Sequence, residues 1–147
     1  MALLIVQKLL WNGLFDKDTY EALKPYYSLW FFSRLYLQGN ESKCDCDTEN
    51  VYSLAAVSKD GNEASILASY YKDNESVDGI GCEEETKSLR VDWSGFTSKN
   101  GVKVTYRFID KDHDSEIVSE ETFFGSEGAH ILKLPLYTSV LITLTKL

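Results

Sequence analysis

The sequence has few features of a membrane or secreted protein. No run of apolar residues approaches the roughly 18 that a transmembrane helix requires. The apolar opening, MALLIVQKLL, has no basic stretch before it and no small-residue cleavage site after it, so it does not fit a signal peptide. We therefore expect a cytoplasmic protein that does not bind membranes.

Basic residues are also scarce. Lysine and arginine number 15 against 23 aspartate and glutamate residues, which gives a net charge of −8 and a pI near 4.7. Nucleic acids and anionic membranes repel an acidic surface, so we exclude both as partners.

Cysteine is rare, with Cys44, Cys46 and Cys82 as its three examples. Three cysteines cannot all pair within one chain, and the spacing of Cys44 and Cys46 is too short for a common zinc-binding pair. No second pair or nearby histidine completes a set of four ligands. We predict reduced thiols on a surface loop, with no metal and no cofactor.

Recognisable catalytic motifs are absent as well. The sequence contains no G-x-S-x-G, H-E-x-x-H, phosphate-binding loop or dinucleotide-binding glycine pattern. The two histidines, His113 and His130, lie in unrelated contexts. The acidic runs 83–85 and 120–121 consist of adjacent residues, which a strand places on opposite faces. We assign no catalytic residue and expect no enzyme activity.

Aromatic residues, by contrast, are abundant near the start of the chain. Nine of the 19 lie within residues 11–39. Pro25 suits the first turn of a helix, and Gly39 suits the position just after its end. Asp18, followed three residues later by Glu21, predicts a capped turn just before this helix.

The predicted helix, residues 25–38, is apolar on nearly every side. One face carries Tyr27, Trp30, Phe31 and Leu35, and a second face carries Tyr26, Leu29, Phe32 and Tyr36. A helix that is apolar nearly all round is normally covered on more than one side. We therefore predict that this helix needs two neighbours.

Beyond residue 50 the apolar residues recur with a period of two, and Asp60-Gly61 marks a hairpin turn. The predicted strands cover residues 51–58, 64–71, 87–93, 102–108, 116–124, 130–134 and 139–146. About seven strands without intervening helices predict a mainly β protein with an antiparallel β-sandwich. The predicted organisation is a helical arm at 1–40, a linker at 41–50 and the sandwich at 51–147.

One acidic segment resembles a calcium-binding loop. Asp110, Asp112, Asp114 and Glu121 occupy positions 1, 3, 5 and 12 of an EF-hand loop. However, Ser115 stands where the loop needs glycine, and the flanking segments have the pattern of strands rather than helices. We favour an acidic hairpin connection over a calcium site.

Exposed aromatic rings could also form a sugar-binding surface by stacking on pyranose rings. The candidates on the strands are Tyr52, Tyr70, Tyr71, Trp93 and Tyr106. Alternating strand aromatics more often fill the core of a sandwich, so a binding surface is the alternative here.

Three segments resemble glycoside hydrolases of the β-xylosidase/α-L-iduronidase type. WNGLFDKDTYEALKPYYSLWFFSRLYLQGN is similar to the last loop and helix of their (β/α)8 barrel, which run as W-N-G-L-F-D, then T-Y-x-x-x-K-P-Y-Y, then an aromatic helix. LPLYTSVLITL resembles the closing strand of the β-sandwich that follows such barrels, and YRFIDKDHD resembles one of its hairpins.

The resemblance implies that the catalytic groups lie elsewhere. These relatives are retaining hydrolases with two glutamates, after the fourth and seventh barrel strands, whose carboxyls sit about 5–5.5 Å apart. Both would precede residue 1 here, so we expect a fragment or truncated copy without a catalytic residue. Trp11 and Asn12 match a loop that lines a sugar subsite in the relatives, but they have no site to line without a barrel.

The resemblance also implies that the helix packs between barrel and sandwich. Without the barrel one helical face lacks its partner, which predicts a homo-oligomer formed through helix 25–38. We predict a non-catalytic accessory β-sandwich that braces the barrel. The alternatives are a free-standing carbohydrate-binding or protein-interaction module and a subunit that completes a separately encoded barrel.

Overall fold

The structure of the protein is a computed structural model that describes residues 13–72 and 85–147. The expectations for MALLIVQKLL, for Trp11 and Asn12, for Cys82 and for the acidic residues at 83 and 84 fall outside these described residues.

The residues that the structure describes form one helix and eight strands. In chain order the elements are α1 (Lys24–Gln38), β1 (Gly39–Ser42), β2 (Val51–Ser58), β3 (Glu63–Tyr70), β4 (Thr86–Ser94), β5 (Val102–Ile109), β6 (Asp114–Phe123), β7 (Glu127–Pro135) and β8 (Thr138–Lys146). The prediction of a mainly β protein is confirmed, and all seven predicted strands are present with small shifts at their ends.

The strands form two antiparallel sheets. Six of them pair in the order β1-β2-β3-β8-β5-β6, and β4 pairs with β7 in a smaller sheet. The predicted hairpin at Asp60-Gly61 joins β2 to β3, where Gly61 has a φ of +70°. The antiparallel sandwich is therefore confirmed, with unequal halves.

The main core lies between the two sheets. Alternating residues of β5, Val102, Val104 and Tyr106, are at most 2% exposed and pack against Leu132 and Leu134 of β7. This alternation is what one buried strand face requires.

A second core lies on the opposite face of the six-stranded sheet, under α1. Phe31 and Leu35 of the helix pack with Ala56, Leu67 and Leu141 of the sheet. The described residues thus form three layers: helix, six-stranded sheet and two-stranded sheet.

The predicted bounds of α1 are confirmed. Pro25 lies in its first turn, and Gly39 ends it in the left-handed conformation, with a φ of +87°. The predicted capped turn at Asp18 is wrong. Asp16 caps the turn instead: its carboxylate accepts hydrogen bonds from the backbone N–H groups of Asp18 and Thr19, and its carbonyl oxygen accepts one of 3.0 Å from the N–H of Tyr20. The result is a single turn that does not continue as a helix.

Strand β1 was not predicted. Its residues Gly39–Ser42 follow α1 directly and pair with residues 55–58 at the edge of β2. Residues 41 and 42, assigned to a linker, are therefore part of the sheet, because β2 offers them an unpaired edge. No helix within residues 13–72 and 85–147 has the length and apolar character needed to cross a membrane.

Candidate interaction surface

The inner face of α1 is the face that the sequence predicted. Phe31 is 0% exposed and Leu35 is 8% exposed, and Tyr27 and Trp30 pack beside them. Spacings of three and four residues place all four side chains on one side of the helix.

Polar contacts fix both ends of α1 on the sheet. Lys24, at its start, forms an ion pair with Asp114 and donates to the carbonyl oxygen of His113. At its end, the Gln38 side-chain amide donates to Glu63 at 2.9 Å and to Ser65 at 2.8 Å. The helix therefore crosses the sheet obliquely, from the β5–β6 turn to β3.

The second predicted face of α1 is largely open. Leu29 is 56% exposed, Phe32 is 51% exposed and Tyr36 is 84% exposed. Tyr26 differs, because its ring packs against Phe15 with centroids 5.1 Å apart. Three of the four residues predicted for this face thus form a stripe of apolar side chains in contact with solvent.

Two side chains of β2 extend this stripe across the sheet. Tyr52 is 63% exposed and Leu54 is 45% exposed, and both lie on the sheet face that carries α1. The uncovered part of that face on the other side of α1 is mostly polar, with an ion pair of 2.8 Å between Lys103 and Glu120. Ile117 of β6, which pairs with Arg107 and is 46% exposed, is an apolar side chain on that side, so most but not all of the apolar exposure lies on the β2 side of the helix.

A groove separates the helical stripe from β2. Its volume is about 530 Å³, and Phe32, Tyr52, Leu54, Leu67 and Ser69 contribute to its lining. A second groove of about 650 Å³ lies between Tyr36 and the ends of β1 and β2. We call the surface formed by Leu29, Phe32, Tyr36, Tyr52 and Leu54 the aromatic face.

The helical part of the aromatic face carries no unpaired charge. Arg34 is the one charged residue between Pro25 and Gln38. Its guanidinium lies 3.4 Å from a carboxylate oxygen of Glu63 and 5.9 Å from the ring centroid of Trp30, on the sheet side of the helix. The hydroxyl of Ser33 donates to the carbonyl oxygen of Trp30 at 2.7 Å, so its hydrogen-bonding need is met within the helix.

The residues of the EF-hand-like segment do not converge. Asp110 accepts hydrogen bonds of 2.8 Å from the backbone N–H groups of Asp112 and His113, and contacts the His113 ring. Asp114 pairs with Lys24, and Glu121 lies 3.4 Å from His130. Among the described residues, no three metal-binding side chains come together.

These contacts change the acidity of Asp110. Burial alone would raise the pKa of its carboxyl, but the hydrogen bonds from Asp112 and His113 outweigh burial and hold the pKa below the ordinary 3.8. Asp110 therefore closes the β5–β6 turn as a charged hydrogen-bond acceptor.

Glu120 and Glu121 lie on opposite faces of β6, as their adjacency predicted. Glu120 pairs with Lys103, whereas Glu121 points to the seam between the sheets, beside His130. The His130 ring stacks on that of Tyr106 with centroids 4.4 Å apart. Burial, and then the charge of Glu121, raise the pKa of the Tyr106 hydroxyl. These carboxylates do not face each other across a cleft.

The five candidate sugar-stacking aromatics separate into two groups. Tyr70 and Tyr106 are 1% and 2% exposed, and Trp93 packs edge-to-face on Phe123 with centroids 5.0 Å apart. Tyr52 and Tyr71 are exposed. Tyr70, Trp93 and Tyr106 thus pack in the core, as the favoured interpretation had it, and Tyr52 belongs to the aromatic face.

The two described cysteines are free thiols near the edge of β2. Cys44 is half-buried and its Sγ lies 3.3 Å from the hydroxyl of Ser53, whereas Cys46 is exposed.

Comparisons with known proteins show what the fold is similar to. No protein-family model matches the sequence, and no curated protein matches it. Among solved structures, a glucosidase from Croceicoccus marinus has a TM-score of 0.73 at 15% identity over 92% of this chain and 34% of its own. A GH39 enzyme from Xanthomonas axonopodis pv. citri has a TM-score of 0.63 at 13% identity, over 92% and 32%.

A monomeric β-xylosidase from Caulobacter crescentus CB15 has a TM-score of 0.58 at 15% identity, over 92% of this chain and 33% of its own. The chain thus spans about a third of the length of these three enzymes. Since residues 51–147 make up about two thirds of the chain, a match over 92% extends beyond the sandwich. The protein therefore has the fold of one part of several glycoside hydrolases.

Proposed function

We propose that this chain is a non-catalytic accessory β-sandwich of a glycoside hydrolase, and that the aromatic face braces a catalytic barrel. The observation that carries the proposal is the exposed stripe of Leu29, Phe32 and Tyr36 on a helix whose other face packs on the sheet. The resemblance of this helix to the last helix of a (β/α)8 barrel supports the choice of partner. So does the similarity in fold to glycoside hydrolases, which extends beyond the sandwich.

The apolar area of the aromatic face favours a companion domain. Full burial of one large apolar side chain contributes about 1.5–3 kcal/mol relative to full exposure. Five such side chains, each 45–84% exposed, make up the aromatic face. Covering them with a companion domain would contribute several kcal/mol, on the order of a domain's net stability.

The arrangement of carboxylates supports a role without catalysis. A retaining hydrolase needs two carboxyls about 5–5.5 Å apart on either side of the sugar bond. The adjacent pair Glu120 and Glu121 is split between a solvent-facing ion pair and the seam between the sheets. Glu85 is held by Lys72, whose hydrogen bond is the main cause that lowers the pKa of Glu85.

The genomic DNA on the 5′ side of the Met1 codon tests the proposal. We expect it, or a neighbouring gene, to encode a (β/α)8 barrel with glutamates after its fourth and seventh strands. A separate gene would make this chain a subunit of that enzyme. A genome that encodes no such barrel would contradict the proposal.

A carbohydrate-binding module is the second candidate, because the ring of Tyr52 is 63% exposed beside a groove. Affinity electrophoresis in gels that contain xylan or arabinoxylan separates the two functions. Retardation that is lost on Tyr52→Ala would favour the binding module, and unchanged mobility would favour the accessory role.

A further inference from the structure

We infer that the aromatic face is self-complementary, and that two copies of the free chain pair through it in a two-fold symmetric homodimer. In the free chain, where no barrel covers the face, its occupant is thus a second copy of this chain. The inference rests on the exposed surface and does not depend on the identity of the enzyme that the sandwich serves.

The rings of the aromatic face supply about half of the area that one partner contributes to a stable interface. These rings, Phe32, Tyr36 and Tyr52, are 51%, 84% and 63% exposed. Since a buried aromatic side chain covers about 150–250 Å², they offer on the order of 400 Å² of aromatic surface. Leu29, Leu54 and the rims of the two grooves bring the face toward the roughly 800 Å² that each partner contributes to a standard interface.

The order of residues along α1 suits a two-fold axis. Leu29, Phe32 and Tyr36 form one stripe, and its midpoint lies between Phe32 and Ser33. When two α1 helices pack antiparallel, Leu29 of one copy lies opposite Tyr36 of the other, and both Phe32 rings lie near the axis. Each copy then contributes the same residues, as an isologous interface requires.

The polar groups of the helix allow this pairing. Ser33 already donates its hydroxyl proton to Trp30, so its burial would leave no unsatisfied donor. Arg34 is turned toward Glu63, so no unpaired charge would be buried on the helix. The main opposing force is repulsion between two chains of net charge −8, which salt screens.

Sedimentation velocity of the intact chain tests the inference. We expect a dimer of about 33 kDa, twice the chain mass of 16.7 kDa, at tens of micromolar, with tighter association as salt rises. Leu29→Arg should weaken dimerisation at least tenfold.

Ile131→Arg is the matched control, since Ile131 is also a large aliphatic residue, 62% exposed, but lies on the solvent face of β7. Thermal unfolding checks that each variant is folded. A wild-type chain that stays monomeric at tens of micromolar overturns the inference. So does a dimer that Ile131→Arg disrupts and Leu29→Arg leaves intact. The proposed accessory role would survive either result, because a barrel can occupy the same face.

Discussion

Gly128 of β7 lies directly against the indole ring of its cross-strand partner, Trp93 of β4. A Cβ atom at position 128 would lie 2.1 Å from Cζ2 of the indole. The indole also packs edge-to-face on Phe123 of the six-stranded sheet, with ring centroids 5.0 Å apart. The absence of a side chain at Gly128 therefore lets Trp93 reach the core and join the two sheets.

Gly128→Ala should destabilise the sandwich by about 1–3 kcal/mol, because the indole must move out of a packed site. Urea unfolding at neutral pH measures this loss. Trp93→Leu is the control. In a chain that carries Trp93→Leu the indole is gone, so adding Gly128→Ala should lower the free energy of unfolding much less. An equal cost in both backgrounds would show that the contact is not responsible.

Phe31 and Phe32 are neighbours with opposite environments, 0% and 51% exposed. Phe31→Ala should lower the free energy of unfolding by about 3–5 kcal/mol, because it leaves a cavity between α1 and the sheet. Phe32→Ala should change it by about 0.5 kcal/mol or less at nanomolar protein, where association does not contribute. Fluorescence-detected urea titration compares the two variants. Similar losses of unfolding free energy in the two variants would mean that α1 does not pack on the sheet through the face that carries Phe31.

Asp110 should make a pH-dependent contribution to stability. Its folded pKa lies below the ordinary 3.8, so its contribution is present at neutral pH and is lost as pH falls through about 4 toward the folded value. Asp110→Asn should therefore cost about 1–2 kcal/mol at pH 7, and this difference should shrink at pH 3 and below. Unfolding curves at several pH values provide the measurement. Asp112→Asn, at an exposed neighbouring position, serves as the control, and a pH-independent cost at position 110 would contradict the account.

Calcium should not bind to the acidic β5–β6 turn. The carboxylate of Asp110 already accepts hydrogen bonds from the backbone of the turn and contacts the His113 ring. Asp114 forms an ion pair with Lys24, and Glu121 lies beside His130. Titration of calcium into chelator-treated protein, followed by calorimetry, should show only heat of dilution. Saturable heat that Asp110→Asn removes would show that these ligands rearrange around the ion.

Local rules predicted the bounds of α1, because Pro25 and Gly39 act through their own backbone preferences. The capped turn was harder to place, since Asp16 and Asp18 are both suitable N-cap residues and the sequence does not rank them. Strand β1 could not be predicted from its composition. It forms because the end of α1 places the chain beside the edge of β2. This depends on the packing of two elements rather than on the residues of β1.

The aromatic face was half predicted. Its helical stripe followed from spacing, but Tyr52 and Leu54 were grouped with residues of the sandwich strands. The sequence did contain a signal for Tyr52 and Leu54. Apolar residues occur at both the odd and the even positions of β2, which is typical of a strand with both faces covered. That α1 would lie on one of these faces depends on the order of strands in the sheet, which residue spacing does not specify.

We propose a sandwich that supports a glycoside hydrolase without performing its chemistry, and such a domain should not cleave glycosides by itself. The most direct test is the release of 4-nitrophenol from aryl β-D-xylosides and α-L-arabinofuranosides by the pure chain at tens of micromolar, with the variant Glu121→Gln in parallel. We expect no release above the buffer rate for either protein. Turnover by the wild-type chain that Glu121→Gln abolishes would contradict it.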